Sequence, residues 1–382
     1  MKKIYLLEDS IISPLGFSVS ENLSAIRNKV SGLKFHENKR FDSGGFYAGI
    51  IENELLNQHF SKIGTPENFT KLEKMMLLAV HQILSRNPDL DKRKTSLIIS
   101  TTKGNIDLLQ ENNSFPEKRI YLAELGKVIK DFFGFKTEPI LVSNACVSGG
   151  LALAIAKRFI IAGKFEHAIV VGGDLVSDFV VSGFQSFQAL SDTPCKPFSK
   201  NRNGLSLGEA ASAMLVSSEK RIGANNISLV GDASANDASH ISAPSRTAEG
   251  LYKSIQNALK ETQITSEEIQ YISAHGTATI FNDEMEAIAL NRAGLELVPV
   301  NSFKGYYGHT LGASALLESI LTKHSILNDV LYPSLNFDEI GVSKPLNLIQ
   351  NLKSIPINYA LKTASGFGGS NLALVFKKEE DE

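Results

Sequence analysis

Short runs of apolar, β-branched residues alternate along the chain with longer stretches in which apolar residues recur at helical spacing. The runs at 3–7, 96–100, 140–143, 168–171, 213–216, 227–230, 270–273, 298–301, 358–361 and 372–376 predict β-strands. The stretches near 69–84, 122–132, 148–162, 248–259, 284–292 and 312–321 predict helices. Such alternation predicts an α/β fold whose sheets are mixed, mainly parallel, and buried on both faces. Near 217–226 the sequence Ser-Ser-Glu-Lys-Arg-Ile-Gly-Ala-Asn-Asn is polar and rich in turn formers, which divides the chain into 1–220 and 221–382. Both parts open on a short strand and follow a loosely similar strand–helix order. A duplicated unit is expected, although no sequence repeat is readable.

Two apolar stretches bear on location. The start, Met1 to Leu7, meets Glu8 and Asp9 before it reaches the length of a signal-peptide core, and it reads as a first strand. Residues 147–162 include Lys157 and Arg158 and fall short of the ~20 residues a bilayer crossing needs, so they read as a buried helix. A cytoplasmic protein without a membrane partner is expected. The run 377–382, Lys-Lys-Glu-Glu-Asp-Glu, reads as a solvated tail.

Composition narrows the function classes. With 43% hydrophobic and 21% charged residues over 382, the chain is neither disordered nor fibrous. Lys and Arg total 39 against 41 Asp and Glu, a net charge of −2, so no overall field draws nucleic acid. Two cysteines, Cys146 and Cys195, are too few for a disulfide framework and fit a reducing compartment. No Cys/His spacing suggests a zinc site, and no metal is expected.

Four segments carry candidate chemistry. In Ile140-Leu-Val-Ser-Asn-Ala-Cys146-Val-Ser-Gly-Gly150 a strand runs through small residues into a helix, placing Cys146 at a tight turn where free N–H groups and the helix dipole favour a thiolate. On this segment alone the cysteine reads equally as a nucleophile or as a buried packing residue. Tyr271-Ile-Ser-Ala-His275-Gly-Thr-Ala-Thr279 sets a histidine and two hydroxyls directly after a strand. Asn301-Ser-Phe-Lys304-Gly-Tyr-Tyr-Gly-His309 does the same at the head of an Ala/Leu-rich helix. Both histidines fall at the C-terminal ends of strands, where open α/β sheets usually build their sites. Lastly, Ala364-Ser-Gly366-Phe367-Gly368-Gly369-Ser-Asn371 is a glycine-rich turn able to aim N–H groups at an oxyanion, or simply a tight turn with one aromatic plug.

Together these segments resemble the β-ketoacyl-acyl carrier protein synthases, condensing enzymes of the thiolase superfamily, in the Cys-His-His branch that elongates acyl chains. The resemblance spans the chain, with Ser13-Pro14-Leu15-Gly16, Gly183-Phe184, Ala189-Leu190-Ser191, Pro197-Phe198, Arg202, Gly204, Gly208, Glu209, Asp237, His240, Pro244, Pro333 and Leu335-Asn336 in matching contexts. It implies a thiolase-like pair of α/β units in an α-β-α-β-α layering, and an acyltransferase joining an acyl thioester to malonyl-acyl carrier protein with loss of carbon dioxide. Fatty acid and polyene or polyketide synthesis are both open. By the same resemblance Cys146 takes the acyl group, His275 and His309 hold the malonyl thioester, Lys304 orders them and Glu318 stands behind. Thr277 and Thr279 meet the pantetheine arm, Phe367 gates the site, and Gly366 and Gly368 flank that gate. Leu108 and Leu109 fall near the segment that crosses the dimer interface and limits chain length, equally readable as ordinary core packing at that interface, with Phe184 and Phe187 as walls of the acyl pocket. Lys71, Lys74, Lys118 and Arg119 dock the acidic carrier protein. No cofactor beyond the phosphopantetheine arm is implied.

The chain departs from the family pattern at Leu7-Glu8-Asp9-Ser10, at Thr363-Ala364-Ser365 and at Ala315. A homodimer is expected, or a heterodimer with a chain-length-factor-like homologue. The alternative role, as such a non-catalytic partner, is weakened because those partners typically lack the cysteine that stands here at 146.

Overall fold

Each apolar run forms a strand in the computed structural model, which describes residues 2–37, 44–110, 113–223, 225–238, 241 and 243–380. The six expected helices are Lys71–Ser85, Leu122–Phe133, Ser148–Ile161, Glu249–Thr262, Ile280–Arg292 and Ser314–Asn328. Helices Val19–Arg27, Asn53–Phe60 and Asp178–Ser186 were not anticipated; each is only eight or nine residues long, too short for periodicity to stand out from noise. A capping signal was nonetheless present in two of them, for Ser18 and Ser177 accept from the N–H groups of Glu21 and Val180. The terminal run differs from the solvated tail expected: Lys377 and Lys378 end the strand Ser370–Lys378, and Glu379 pairs with Lys3 at 2.7 Å. The last two residues lie outside the described set.

The main sheet has eleven strands, with parallel pairing at both ends and antiparallel pairing across the middle. In spatial order, Tyr5–Ile12, Ala210–Ser217, His167–Asp174, Thr95–Ser100 and Ile140–Val142 occupy one side. The other side runs Ile227–Asn236, Ser370–Lys378, Tyr359–Gly366, Tyr271–Ser273 and Pro299–Asn301, with Asn347–Leu348 at the edge. Ranked by position in the chain, both sets of five read first, fifth, fourth, second, third. One topology is therefore used twice, and the two sets join through only two residue pairs, Tyr5 with Ser228 and Leu6 with Ile227.

Alternation along the strands creates the layers. Ile98, Val170 and Met214 pack inward with Leu372, Leu374 and Phe376 around the helices Ser148–Ile161 and Ser314–Asn328. Their neighbours Leu97, Ile99, Val171 and Leu215 face an outer layer with Lys71–Ser85, while Ala373 and Val375 face another with Glu249–Thr262. Helix, sheet, paired helices, sheet, helix is the resulting order. The central helices can approach because Gly149 has no side chain: a Cβ there would lie 2.7 Å from the backbone nitrogen of Leu316. The third strand of each set leads into one of these central helices, so the chemistry-bearing turns after Val142 and Asn301 arrive at the same place.

Candidate active site

The turn after Ile140–Val142 is strained. Ala145 holds φ of +43°, a left-handed conformation that costs a residue with a Cβ of order 1 kcal/mol or more, and this presents Cys146 ahead of the helix Ser148–Ile161. Ser148 braces the turn, its hydroxyl accepting from the Asn144 N–H and donating to the Ala145 carbonyl. Opposite, Gly366 lets the loop from Tyr359–Gly366 come close, since a Cβ there would stand 3.0 Å from the Cys146 nitrogen. The Phe367 N–H is consequently aimed at the Cys146 sulfur.

His275 and His309 close the cluster. Their rings meet edge to face with centroids 5.1 Å apart, and the Cys146 sulfur and one nitrogen of each ring lie within 4.8 Å of one another. All three residues are buried. Glu286 fixes the first histidine by accepting the N–H groups of His275 at 2.8 Å and Gly276 at 2.7 Å. The second is set by its own N–H donating to the Ser206 carbonyl at 2.7 Å.

Lys304 decides a tautomer. An ammonium can only donate, and Lys304 Nζ lies 3.3 Å from His275 Nδ1, so that nitrogen accepts and Nε2 carries the proton. Lys304 also bonds the His275 carbonyl and Glu318 Oε1, the latter at 2.7 Å. His309 Nδ1 makes no hydrogen bond among the described residues.

Burial dominates the electrostatics. It pushes both imidazoles well below their ordinary value, helped by Lys304, so both are neutral at pH 7. It also pushes the Cys146 thiol up to about 11, against the pull of Lys304 and Lys103. The sulfur therefore rests as a thiol beside neutral imidazoles, burial outweighing the helix N-terminus that favours a thiolate. Glu318 stays low despite its burial because Lys304 and Lys362 flank it.

Cys146, His275 and His309 line a cavity of about 300 Å³. Phe184, Phe187, Thr277, Thr279, Gly366 and Phe367 line it. Phe367 meets the other two rings at centroid distances of 5.7 and 5.2 Å, so three phenyl groups stand together beside the thiol. The Thr277 and Thr279 hydroxyls are 2.9 Å apart. Asp237 and Pro244 also line the cavity, whereas His240 lies outside the described residues.

Several expected residues are not part of this wall. Leu108 is buried in the turn Ile106–Leu109 and Leu109 is 61% exposed, and the cavity lining includes neither. Gly368 is likewise absent from the lining; at φ of +81° it shapes the turn and donates its N–H to the Ile241 carbonyl. The docking cations fare worse. Lys71 pairs at 2.6 Å with the buried Glu209, Arg119 with the buried Glu73, and Lys74 donates to Asn57 Oδ1 at 2.7 Å. Only Lys118 is well exposed, 3.8 Å from Glu124. Lys71 and Arg119 are thus spent on interior carboxylates and are not free for an acidic partner. Glu73 also accepts the Thr70 N–H as a helix capping box, so Arg119→Met leaves a fully buried carboxylate without its cation. A loss of about 3–5 kcal/mol in stability is expected on thermal or denaturant unfolding. An unchanged unfolding midpoint would return Arg119 to the docking surface.

Sequence reading missed Glu286, Lys362 and Asp174. For Glu286 the signal was available: Asp283 and Glu286 are three apart on the helix that follows the His275 loop, hence on one face, and Asp283 Oδ1 takes the Thr277 N–H at 2.9 Å. Asp174 receives the N–H groups of Thr102 and Gly312, tying the loop after Thr95–Ser100 to the segment ahead of the helix Ser314–Asn328. Cys195 is structural, its S–H donating to the Lys304 carbonyl at 3.1 Å.

Family comparison agrees with this geometry. The model for the β-ketoacyl synthase N-terminal domain matches residues 9–221, and that for the C-terminal domain matches 227–338. The chain belongs to the β-ketoacyl synthase family. Among its curated relatives, 3-oxoacyl-[acyl-carrier-protein] synthase 2 of Vibrio harveyi is 26% identical over 99% of each chain. The corresponding synthase of Rhizobium meliloti is 32% identical over 62% of this chain and 60% of its own. Among solved structures, the fold is similar to a chain from a complex of a ketosynthase with its chain length factor from Xenorhabdus doucetiae, at TM-score 0.86 and 25% identity over 99% and 98%. The ishigamide ketosynthase/chain length factor matches at TM-score 0.88 and 25% identity over 99% and 100%. Among the described residues no helix is long and apolar enough to cross a membrane.

Proposed function

We propose that this synthase carries out a decarboxylative condensation, joining an acyl group held on Cys146 to malonyl-acyl carrier protein to give a 3-oxoacyl-acyl carrier protein. The observation that carries the reading is the meeting of a thiol, two neutral imidazoles and an aimed backbone N–H in the lining of one aromatic cavity. Cys146 attacks the incoming thioester carbon while an imidazole nitrogen of His309 accepts the thiol proton. The C–S bond to the pantetheine arm breaks, and that proton leaves with the pantetheine thiol. Malonyl thioester then binds, its carboxylate carbon–carbon bond breaks, and the electron pair moves into an enolate. The His275 Nε2–H and an N–H of His309 hold that oxygen. The enolate carbon attacks the acyl-Cys146 carbonyl, whose oxyanion meets the N–H groups of Cys146 and Phe367. Collapse expels the Cys146 sulfur, which regains one proton from solvent. Covalent holding of the first substrate divides one difficult reaction into two and makes the second step effectively intramolecular.

These steps use the chain's own side chains and the substrate's phosphopantetheine arm. Three phenyl rings beside the thiol suit fatty acyl chains and, by face-to-face contact, conjugated polyene or polyketide chains. We infer a cytoplasmic dimer, of two copies or with a chain-length-factor-like homologue, the latter supported by the ketosynthase/chain length factor complexes it resembles. Intact-mass spectrometry after exposure to saturated and conjugated acyl-carrier proteins tests the reading. One acyl mass on Cys146 is expected, and its identity names the substrate. No adduct from any donor would overturn it.

A further inference from the structure

In the strand Tyr359–Gly366, Lys362 stands opposite Ser273 in the parallel pairing with Tyr271–Ser273, and its side chain has no exposed surface. Burying an ammonium costs several kcal/mol, so its partners must be complete. They are. Lys362 Nζ donates its three protons to the carbonyls of Ser273 at 3.2 Å, Ala274 at 3.2 Å and Thr363 at 2.6 Å. Glu318 Oε2 sits 2.7 Å away as the counter-ion.

Two of those carbonyls immediately precede His275. Lys304 holds the next one, that of His275 itself, and grips the other oxygen of Glu318. Thr363, beside Lys362, donates to Glu286 Oε1 at 2.6 Å, the same carboxylate that accepts the His275 and Gly276 N–H groups. Every backbone polar group from the Ser273 carbonyl to the Gly276 N–H that these three charged side chains touch is thereby fixed around the imidazole. A lysine at the sheet's interior reaches the reacting histidine only through this frame.

We propose that Lys362 is a positioning residue for the decarboxylation half-reaction: it locks the strand end that presents His275 and shares Glu318 with Lys304. This rests on the condensing reading and adds to it a second lysine. The charge contributes along with the bonds. Lys304, His309, Lys362 and Glu286 face His275, with Glu318 behind the two lysines, and Lys304, Lys362 and Lys103 face His309. Deleting the cation at 362 removes repulsion against an imidazolium, so the acid limb of the decarboxylation profile moves to higher pH.

The test compares Lys362→Met and Lys362→Gln with the parent in both half-reactions, using acyl-carrier protein for acylation and malonyl-carrier protein for carbon dioxide release. A misplacement of about 1 Å can cost ~10²-fold. Lys362→Met is therefore expected to lower decarboxylation kcat about 10- to 100-fold, leave one acyl group per Cys146, and raise the acid limb. Lys362→Gln keeps two N–H donors without the charge and is expected to lose less rate while showing the same shift; it carries the test if the Met variant does not fold. Parent kcat with the parent limb in the Gln variant, or equal losses in the two half-reactions, would overturn the proposal. His309→Ala, run alongside, separates the two readings: normal carbon dioxide release there would sink the condensing mechanism itself, whereas normal release in the Lys362 variants alone removes only the role of Lys362.

Discussion

Cys146→Ala leaves the protein folded and abolishes the acyl-enzyme, with condensation falling about 10⁴-fold or more, on the scale that deleting a covalent nucleophile costs in other enzymes. The fold should tolerate the change, because the strain of the turn lies at Ala145 and its bracing at Ser148, neither of which is altered. The Phe367 N–H near the sulfur belongs to a residue of the cavity lining, where substrate or water can meet it. A second measurement follows from the raised thiol. With its pKa pushed up to about 11, the thiolate fraction is small at pH 7 and grows about tenfold per pH unit, so iodoacetamide labelling of Cys146 should still be climbing at pH 9.5. A labelling rate already level at pH 8 would mean that the helix N-terminus outweighs burial. Undiminished condensation by the Ala variant would remove Cys146 from the mechanism.

His309→Ala and His275→Ala are expected to separate the two halves of the reaction in another way. Each removes one N–H donor from the enolate oxygen, and the loss of one such donor costs ~10²–10³ in rate elsewhere. Carbon dioxide release from malonyl-carrier protein should fall by that factor, while Cys146 in His275→Ala still accepts its acyl group. In His309→Ala acylation should also slow, since His275, with Nδ1 turned to Lys304 and a proton on Nε2, has no nitrogen left to accept the thiol proton. The parent's pH profile carries a sign check. Both imidazoles titrate well below 6.5, so decarboxylation should stay level as pH falls through 6.5 and decline only further down, when the rings protonate and the enolate site gains charge. A decline centred at 6.5 would show that the rings are more open to water than their burial implies.

The nucleophile turn, the two histidine loops and the glycine-rich gate were legible in the sequence because each is local: a strand pattern, a few small residues and a reactive side chain lie within a dozen positions. So was the α/β class, since strand and helix periods are written residue by residue. The duplicated strand order was only suggested, because the halves share topology without sharing residues. What the sequence could not show is the company that a charged side chain keeps. Lys71 and Arg119 carry the pattern of surface cations, yet Glu209 and Glu73 hold them from distant parts of the chain. Lys362 looks like any lysine near the end of a strand, and it becomes an interior charge only when the Ser273 strand and Glu318 are folded against it. Leu109, read as lying near a dimer-crossing segment, is exposed on the single chain. Residue type and local period determine which elements form and which groups are reactive; whether a charge faces solvent, a carboxylate or a catalytic ring is decided by contacts across tens to hundreds of residues, which exist only once the two halves of the sheet close on their central helices.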